Sequence, residues 1–156
     1  MKSQVNARSR QRGVSLIEVM IAVFVLAIGL LGAAGMQLSA LKYTDSSRMN
    51  SQASFIVYDI IDRMRANAEP VQLPQYAIAS LAAVPGAAAS IRDQDLIDFA
   101  ENLNSLPSPE ARIAVNGTQV AVTISWSEAR AAGNDEAGQP SMGSFSVTTN
   151  VSVTAP

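Results

Sequence analysis

The chain contains no cysteine and no histidine. Without cysteine, no disulfide staples the fold and no thiolate can hold a metal. Without histidine, the commonest general base and the commonest metal ligand are both missing. Hydrolase and metalloenzyme chemistry therefore have few groups to work with, and no enzymatic activity or cofactor is expected. Proline is absent from Ser15 to Asn67, and charge is absent from Val19 to Leu41, where Gln37 and Ser39 are the only polar side chains. Basic residues are scarce beyond the first few positions. The whole chain has 11 basic and 13 acidic residues, net −2. Lys2, Arg8, Arg10 and Arg12 lie within residues 1–13, with no acid among them; setting that segment aside leaves 7 basic against 13 acidic residues, net −6. Phosphate contacts demand clustered Lys and Arg, so binding of nucleic acid by this chain alone is not expected.

What is present is a long apolar run. With 156 residues, the chain can supply one modest domain plus an anchor. Val19–Leu41 is 23 residues long, and a bilayer core of about 30 Å needs roughly 20 apolar residues in a helix. Glu18 stands at the mouth of this run. A carboxylate at membrane depth is costly, and its default reading is functional. A secretory signal peptide, cleaved near Gly32, Ala33 and Ala34, would explain the basic flank. So would a plain signal anchor. Neither accounts for Glu18, and a signal-peptide core of about 7–15 residues is shorter than this run. The basic flank itself is expected to stay cytoplasmic.

Gly13-Val14-Ser15-Leu16-Ile17-Glu18, behind a short basic leader and ahead of an apolar helix, resembles the type IV pilin and pseudopilin signal. The resemblance implies cleavage by a prepilin peptidase between Gly13 and Val14, N-methylation of Val14, and retention of the apolar segment as an assembly helix. Val14 departs from the family, which usually carries Phe there. The cut would leave a free amino group on Val14 with Glu18 four residues on, about 6 Å along a helix and on the same face. Glu18 can then pair with its own terminus or with a neighbour's. The family favours the second, at the moment a subunit passes from bilayer to filament. An unpaired buried charge costs several kcal/mol, on the order of 3–5, so a pair of some kind is expected. Gly29, Gly32 and Gly35 recur every third residue of the run. They read as close packing against neighbouring helices, or, on the family's pattern, as a soft stretch that unwinds locally during assembly.

Beyond Lys42 the helix changes character. Met49, Ala53, Ile56, Ile60 and Met64 form one apolar stripe, opposite Ser47, Asn50, Ser51, Ser54, Asp62 and Arg65. One unbroken helix is expected to end near Asn67, because Pro70 follows. The run Asp59-Ile60-Ile61-Asp62-Arg63-Met64-Arg65-Ala66-Asn67 resembles the minor-pilin subfamily called PilV, the type IV pilus modification proteins. Within it, Asp59 with Arg63 and Asp62 with Arg65 are spaced as helical ion pairs, worth only about 0.2–0.5 kcal/mol each. Structural pairing is preferred there to any catalytic role.

Residues 70–90 read as an irregular loop with one helical turn near Tyr76–Ala82. Ser90 or Asp93 can cap a short helix over about Gln94–Ser105, with Leu96, Phe99, Leu103 and Leu106 inward. Asp93, Asp95, Asp98 and Glu101 read as a solvated acidic face near a helix N-terminus, not a metal site. The subfamily commonly shows an Asp-Leu pair, an aromatic and a Leu-Pro exit here; Asp95-Leu96, Phe99 and Leu106-Pro107 are similar. Many of its members also carry cysteines in this loop, which this chain lacks. Arg112–Val115 and Thr118–Trp126 flank Asn116-Gly117, a two-residue hairpin signal. Val122, Ile124 and Trp126 alternate with polar positions, as do Phe145, Val147, Val151 and Val153. Ala131–Gly143 reads as a mobile loop.

The expected fold is α+β and pilin-like: one long N-terminal helix, membrane-spanning in its first half, packed on a small antiparallel meander. The helix–sheet core would comprise Met49, Ala53, Ile56, Ile60, Met64, Val122, Ile124, Trp126, Phe145 and Val147. The expected organisation is a leader over 1–13, an assembly half of the helix over 14–41, an amphipathic half over 42–67, and a periplasmic head over 68–156, with a loop and short helix over 68–110 and the sheet over 111–156. The resemblance implies a minor pilin in the inner membrane, N-terminus cytoplasmic, that later enters the pilus. Its implied partners are other minor pilins, the major pilin, the prepilin peptidase, the assembly platform and the bilayer. It implies a role in priming assembly, at the tip, for twitching motility, adhesion or surface sensing. A type II secretion pseudopilin shares the signal and helix. A membrane-anchored periplasmic binding module is the alternative of another class.

Overall fold

The computed structural model describes residues 13–152. Leu16–Ala66 form a single 51-residue helix, α1. Ser15, Leu16 and the long proline-free run that follows explain its length, since nothing in that run removes a helical N–H. The chain divides into two compact units, one ending at Ala40 and one beginning at Leu41. In the first, α1 is all there is beyond Gly13–Ser15 among the described residues.

In the second unit α1 continues and is followed by two short 3-10 turns, Leu73–Tyr76 and Leu81–Ala83. The single turn expected near Tyr76–Ala82 is thus two, with Pro74 in the first turn of the earlier one. Helix α2 spans Ile91–Leu103. It starts three residues before the expected Gln94 because Ser90 caps it: its Oγ accepts the Asp93 N–H at 3.2 Å, and its carbonyl the Gln94 N–H at 3.1 Å. Strands β1 (Glu110–Asn116), β2 (Gln119–Ser127) and β3 (Met142–Asn150) form an antiparallel sheet in that order.

The β1–β2 turn differs by one residue from its expected place. Asn116 pairs with Gln119, so the two loop residues are Gly117 and Thr118. Gly117 has φ 60° and takes the first central position, which suits a type II′ turn. Strand β3 likewise begins earlier than Phe145, at Met142, and ends at Asn150. Val151 is still buried, and Val153 lies outside the described residues. The expected mobile loop Ala131–Gly143 carries structure of its own. A short helix α3 covers Ala129–Ala132, Asn134 bridges Pro140, and the Asp135 carboxylate accepts the N–H groups of Ala137 and Gln139.

The long helix packs on this sheet in an α+β, pilin-like arrangement. Met49, Ala53, Ile56, Ile60 and Met64 are buried, and so are Val57 and Ile61, which widen the stripe into a face. They share one core with Val122, Ile124 and Trp126 of β2, and with Leu96, Phe99 and Leu103 of α2. Phe145 and Val147 are only half-buried against it, as befits the outermost strand. Trp126 is fully buried and lies over Gly143, its partner across β2–β3. A Cβ at Gly143 would stand 2.6 Å from the indole, so only glycine fits.

Candidate functional site

Two groups of residues merit a chemical account, one in each unit. In the first, Gly13, Val14 and Ser15 precede the helix and are exposed. Ser15 is the cap. The Glu18 N–H donates to Ser15 Oγ at 3.3 Å and lies 3.1 Å from its carbonyl, which also accepts the Val19 N–H at 3.3 Å. Ser15-Leu16-Ile17-Glu18 therefore has the spacing of a capping box, with Glu18 at its third helical position. Its carboxylate also meets the positive end of the helix dipole there. The Ser-x-x-Glu signal was present in the sequence, and it sets Glu18 in the first turn of α1.

From Leu16 onward the side chains of the apolar run are bare. Leu16 is 83% exposed, Phe24 67% and Leu31 77%. By length and composition this helix can cross a membrane, and none of its most apolar stretch is buried within the protein. An apolar surface this extensive marks a membrane or protein contact. Gly29, Gly32 and Gly35 sharpen the point: a Cβ at any of them would meet nothing within 4 Å. Among the described residues nothing packs against these glycines.

The second group is polar and centres on Arg63. Its Nε donates to Asp59 at 3.0 Å, and its Nη1 reaches Asp98 at 2.6 Å and Asp95 at 3.3 Å. The Tyr76 hydroxyl donates to the other Asp95 oxygen at 2.6 Å and accepts from Asn67 Nδ2 at 3.0 Å. Arg65 pairs with Asp62 at 2.7 Å and reaches Thr149 Oγ1 of β3 at 3.3 Å. The two helical ion pairs thus form, but Arg63 does more: with Asn67 it fastens α2 and the first 3-10 turn to α1. Asp95 corrects the expectation of a solvated acidic face, because it is only 7% exposed and turned inward. The periodicity of α2 placed it beside Leu96 and Phe99, but nothing in the sequence marked Tyr76 as its donor.

The electrostatics follow from these contacts. Burial, and then the hydrogen bond to Asp95, push the Tyr76 hydroxyl up to about 12. Hydrogen bonds from Gln94 and then Arg63 hold Asp98 below the usual carboxylate range. The bond to Asp98 raises Arg63. Asp93 is lowered by Arg92 and then by its cap hydroxyl, Ser90. Each of these carboxylates is engaged by a cation or hydroxyl, and among the described residues no group of three or more acids is placed to hold a metal. The cluster holds α1, α2 and the first 3-10 turn together.

Residues 8–34 match the family model described as the prokaryotic N-terminal methylation motif. That motif indicates a type IV pilin-like or pseudopilin precursor, a structural subunit processed by prepilin peptidase, anchored by its apolar helix and assembled with other pilins. No curated protein and no solved structure matches the chain.

Proposed function

We propose that this protein is a minor subunit of a bacterial type IV pilus, of the PilV type, that joins other minor pilins to prime assembly at the tip. Its work would support twitching motility, adhesion or surface sensing. One observation carries the reading: a bare apolar helix with an acid at its mouth, directly behind a Gly13–Val14 processing motif. In this account residues 1–13 are removed, Val14 is methylated, and 14–41 lie in the bilayer with the N-terminus cytoplasmic. The head then stands in the periplasm. On assembly, the Glu18 carboxylate meets the terminal ammonium of a neighbour. Gly29, Gly32 and Gly35 admit that neighbour's helix.

Mass spectrometry of the mature N-terminus tests the processing: loss of 13 residues with a methyl group on Val14 supports it, and cleavage near Ala34 overturns it. Glu18→Gln tests the pairing. The variant keeps the shape and deletes the charge, so it is expected to be processed yet excluded from filaments. Normal incorporation would sink the pairing.

A secretion pseudopilin is the second reading, and it shares everything up to Leu41. Asp59-Ile60-Ile61-Asp62-Arg63-Met64-Arg65-Ala66-Asn67 favours the pilus side. Neighbouring genes separate the two: other minor pilins in one case, secretion components in the other. An anchored binding module predicts that an unrelated anchor can replace residues 14–41 without loss, whereas the pilin reading predicts complete loss.

A further inference from the structure

The two outer strands of the sheet are treated very differently. On β1, Ile78 occupies the outer side at one position: the N–H of each of Ile78 and Ile113 meets the other's carbonyl at 3.0 Å. Glu110 and Arg112 add charge along that strand. Strand β3 is the other outer strand, and among the described residues nothing pairs beyond it.

Which backbone groups of β3 are left over follows from its ladder. Val151 N–H donates to Thr118 O at 2.8 Å, and Glu128 N–H donates to Ser141 O at 2.6 Å. In an antiparallel pair, hydrogen-bonded and non-bonded positions alternate. Gly143, Phe145, Val147 and Thr149 therefore direct their amides to β2. Ser144, Ser146, Thr148 and Asn150 direct their N–H and C=O groups outward. The close approach of Thr123 Oγ1 and Ser146 Oγ, 2.9 Å, fits a non-bonded pair at that position. The side chains of these four residues are exposed as well.

Proteins usually guard such an edge with a charge, a proline, a bulge or a cover. Among the described residues none of these lies on its outward groups; the Arg65 guanidinium meets the strand at Thr149 Oγ1, whose residue is bonded towards β2. No charged residue occurs from Ala137 to Pro156, and β3 contains no proline. Nine consecutive residues pair one-to-one with β2, so there is no bulge. The open side of β3 is a template for an incoming strand.

A second copy is a poor occupant. A closed dimer through this edge would pair β3 antiparallel to itself about a two-fold axis normal to the sheet. Such a dimer sets two copies of one acidic unit edge to edge: from Leu41 onward there are 7 basic and 12 acidic residues, net −5, so two copies repel. We propose that the free edge of β3 accepts an extended strand, free of acidic side chains, from a different subunit of the same assembly, paired to Ser144, Ser146, Thr148 and Asn150. This rests on the assembly reading above.

The test uses the full chain in cells that assemble the fibre. A photoreactive phenylalanine analogue replaces Ser144, Ser146 or Thr148 in turn, and the cross-linked peptides are sequenced by mass spectrometry. The expected result is an adduct with one different protein, whose linked residues advance in steps of two as the probe does. The adduct is lost in Ser146→Pro, which removes an outward N–H and no bond to β2, and is kept in Ser146→Ala. Thr148→Lys, which sets a charge on the solvent side of the edge, is expected to abolish it too; buried Trp126 emission reports that each variant stays folded. An adduct between two copies of this chain overturns the proposal, as do linkages without the two-residue step. So does the absence of any adduct in a chain that is still processed and incorporated. A chain never cut after Gly13 sinks the assembly reading and this proposal together.

Discussion

Tyr76 occupies a position where one oxygen serves three elements. Its hydroxyl takes a hydrogen bond from Asn67, just past the end of α1, and gives one to Asp95 of α2. Tyr76→Phe keeps the ring and strands both partners. Leaving a buried acceptor unsatisfied costs about 1–3 kcal/mol, and that is the loss expected in denaturant unfolding of the full chain in detergent. The same residue predicts a pH dependence. Its folded-state value is about 12 against an ordinary 10.0, so the folded state holds the proton more tightly than the unfolded chain. The stability this supplies is complete below about pH 10 and is lost as pH rises towards 12. Unfolding curves between pH 9 and 12, roughly the span that brackets both values, should decline in the parent chain and decline less in Tyr76→Phe. Equal declines would show that Tyr76 is not the titrating group.

The elements differ in how openly they were written. Helix α1 was legible because a proline-free apolar run merging into a stripe has few other solutions. Val57 and Ile61 escaped notice because a single stripe at intervals of three and four leaves out the flanking positions that a sheet also covers. The β1–β2 hairpin was legible as a hairpin, but its register was not. Asn-Gly suggests a turn with both residues at positive φ, whereas here only Gly117 has one. The alternating burial of Ala111 and Ile113 against Val120, Val122 and Ile124 decides the pairing, and a slip by one would expose them all. Gly117→Ala forces a Cβ into the left-handed region and is expected to destabilise the second unit by about 1 kcal/mol or more. A fall in the unfolding midpoint with an unchanged slope would show this. No change would mean that the turn relaxes to another type. The polar cluster was half legible. Helical spacing announced Asp59–Arg63 and Asp62–Arg65, but the links from Arg63 to Asp98 and from Tyr76 to Asp95 join residues more than ten positions apart, and no local pattern encodes them.

At the scale of the whole molecule, burial and exposure are segregated along the chain. Among the described residues, every buried apolar residue lies between Met49 and Val151, in the unit that begins at Leu41. The unit before it contributes none of them and bares its leucines, valines and isoleucines. The core therefore does not depend on the N-terminal half of α1, and the protein can be held by a membrane or by neighbouring helices without any change inside its head. This makes a strong claim about a truncated chain. Residues 41–156, expressed alone, are expected to fold. The 116 residues from Leu41 to Pro156 exceed the roughly 40 below which a chain usually needs staples, and no cysteine is required. The truncated chain should show mixed α and β circular dichroism, a protected Trp126 and a single cooperative transition in urea. Its stability should fall within the ordinary range of about 5–15 kcal/mol. Tyr76→Phe should lower it by the same amount as in the full chain, because the hydroxyl's partners, Asn67 and Asp95, both lie within it. A truncated chain that binds hydrophobic dye and melts without cooperativity would show instead that the first half of α1 is needed to order the second, and the separation of anchor from head would have to be abandoned.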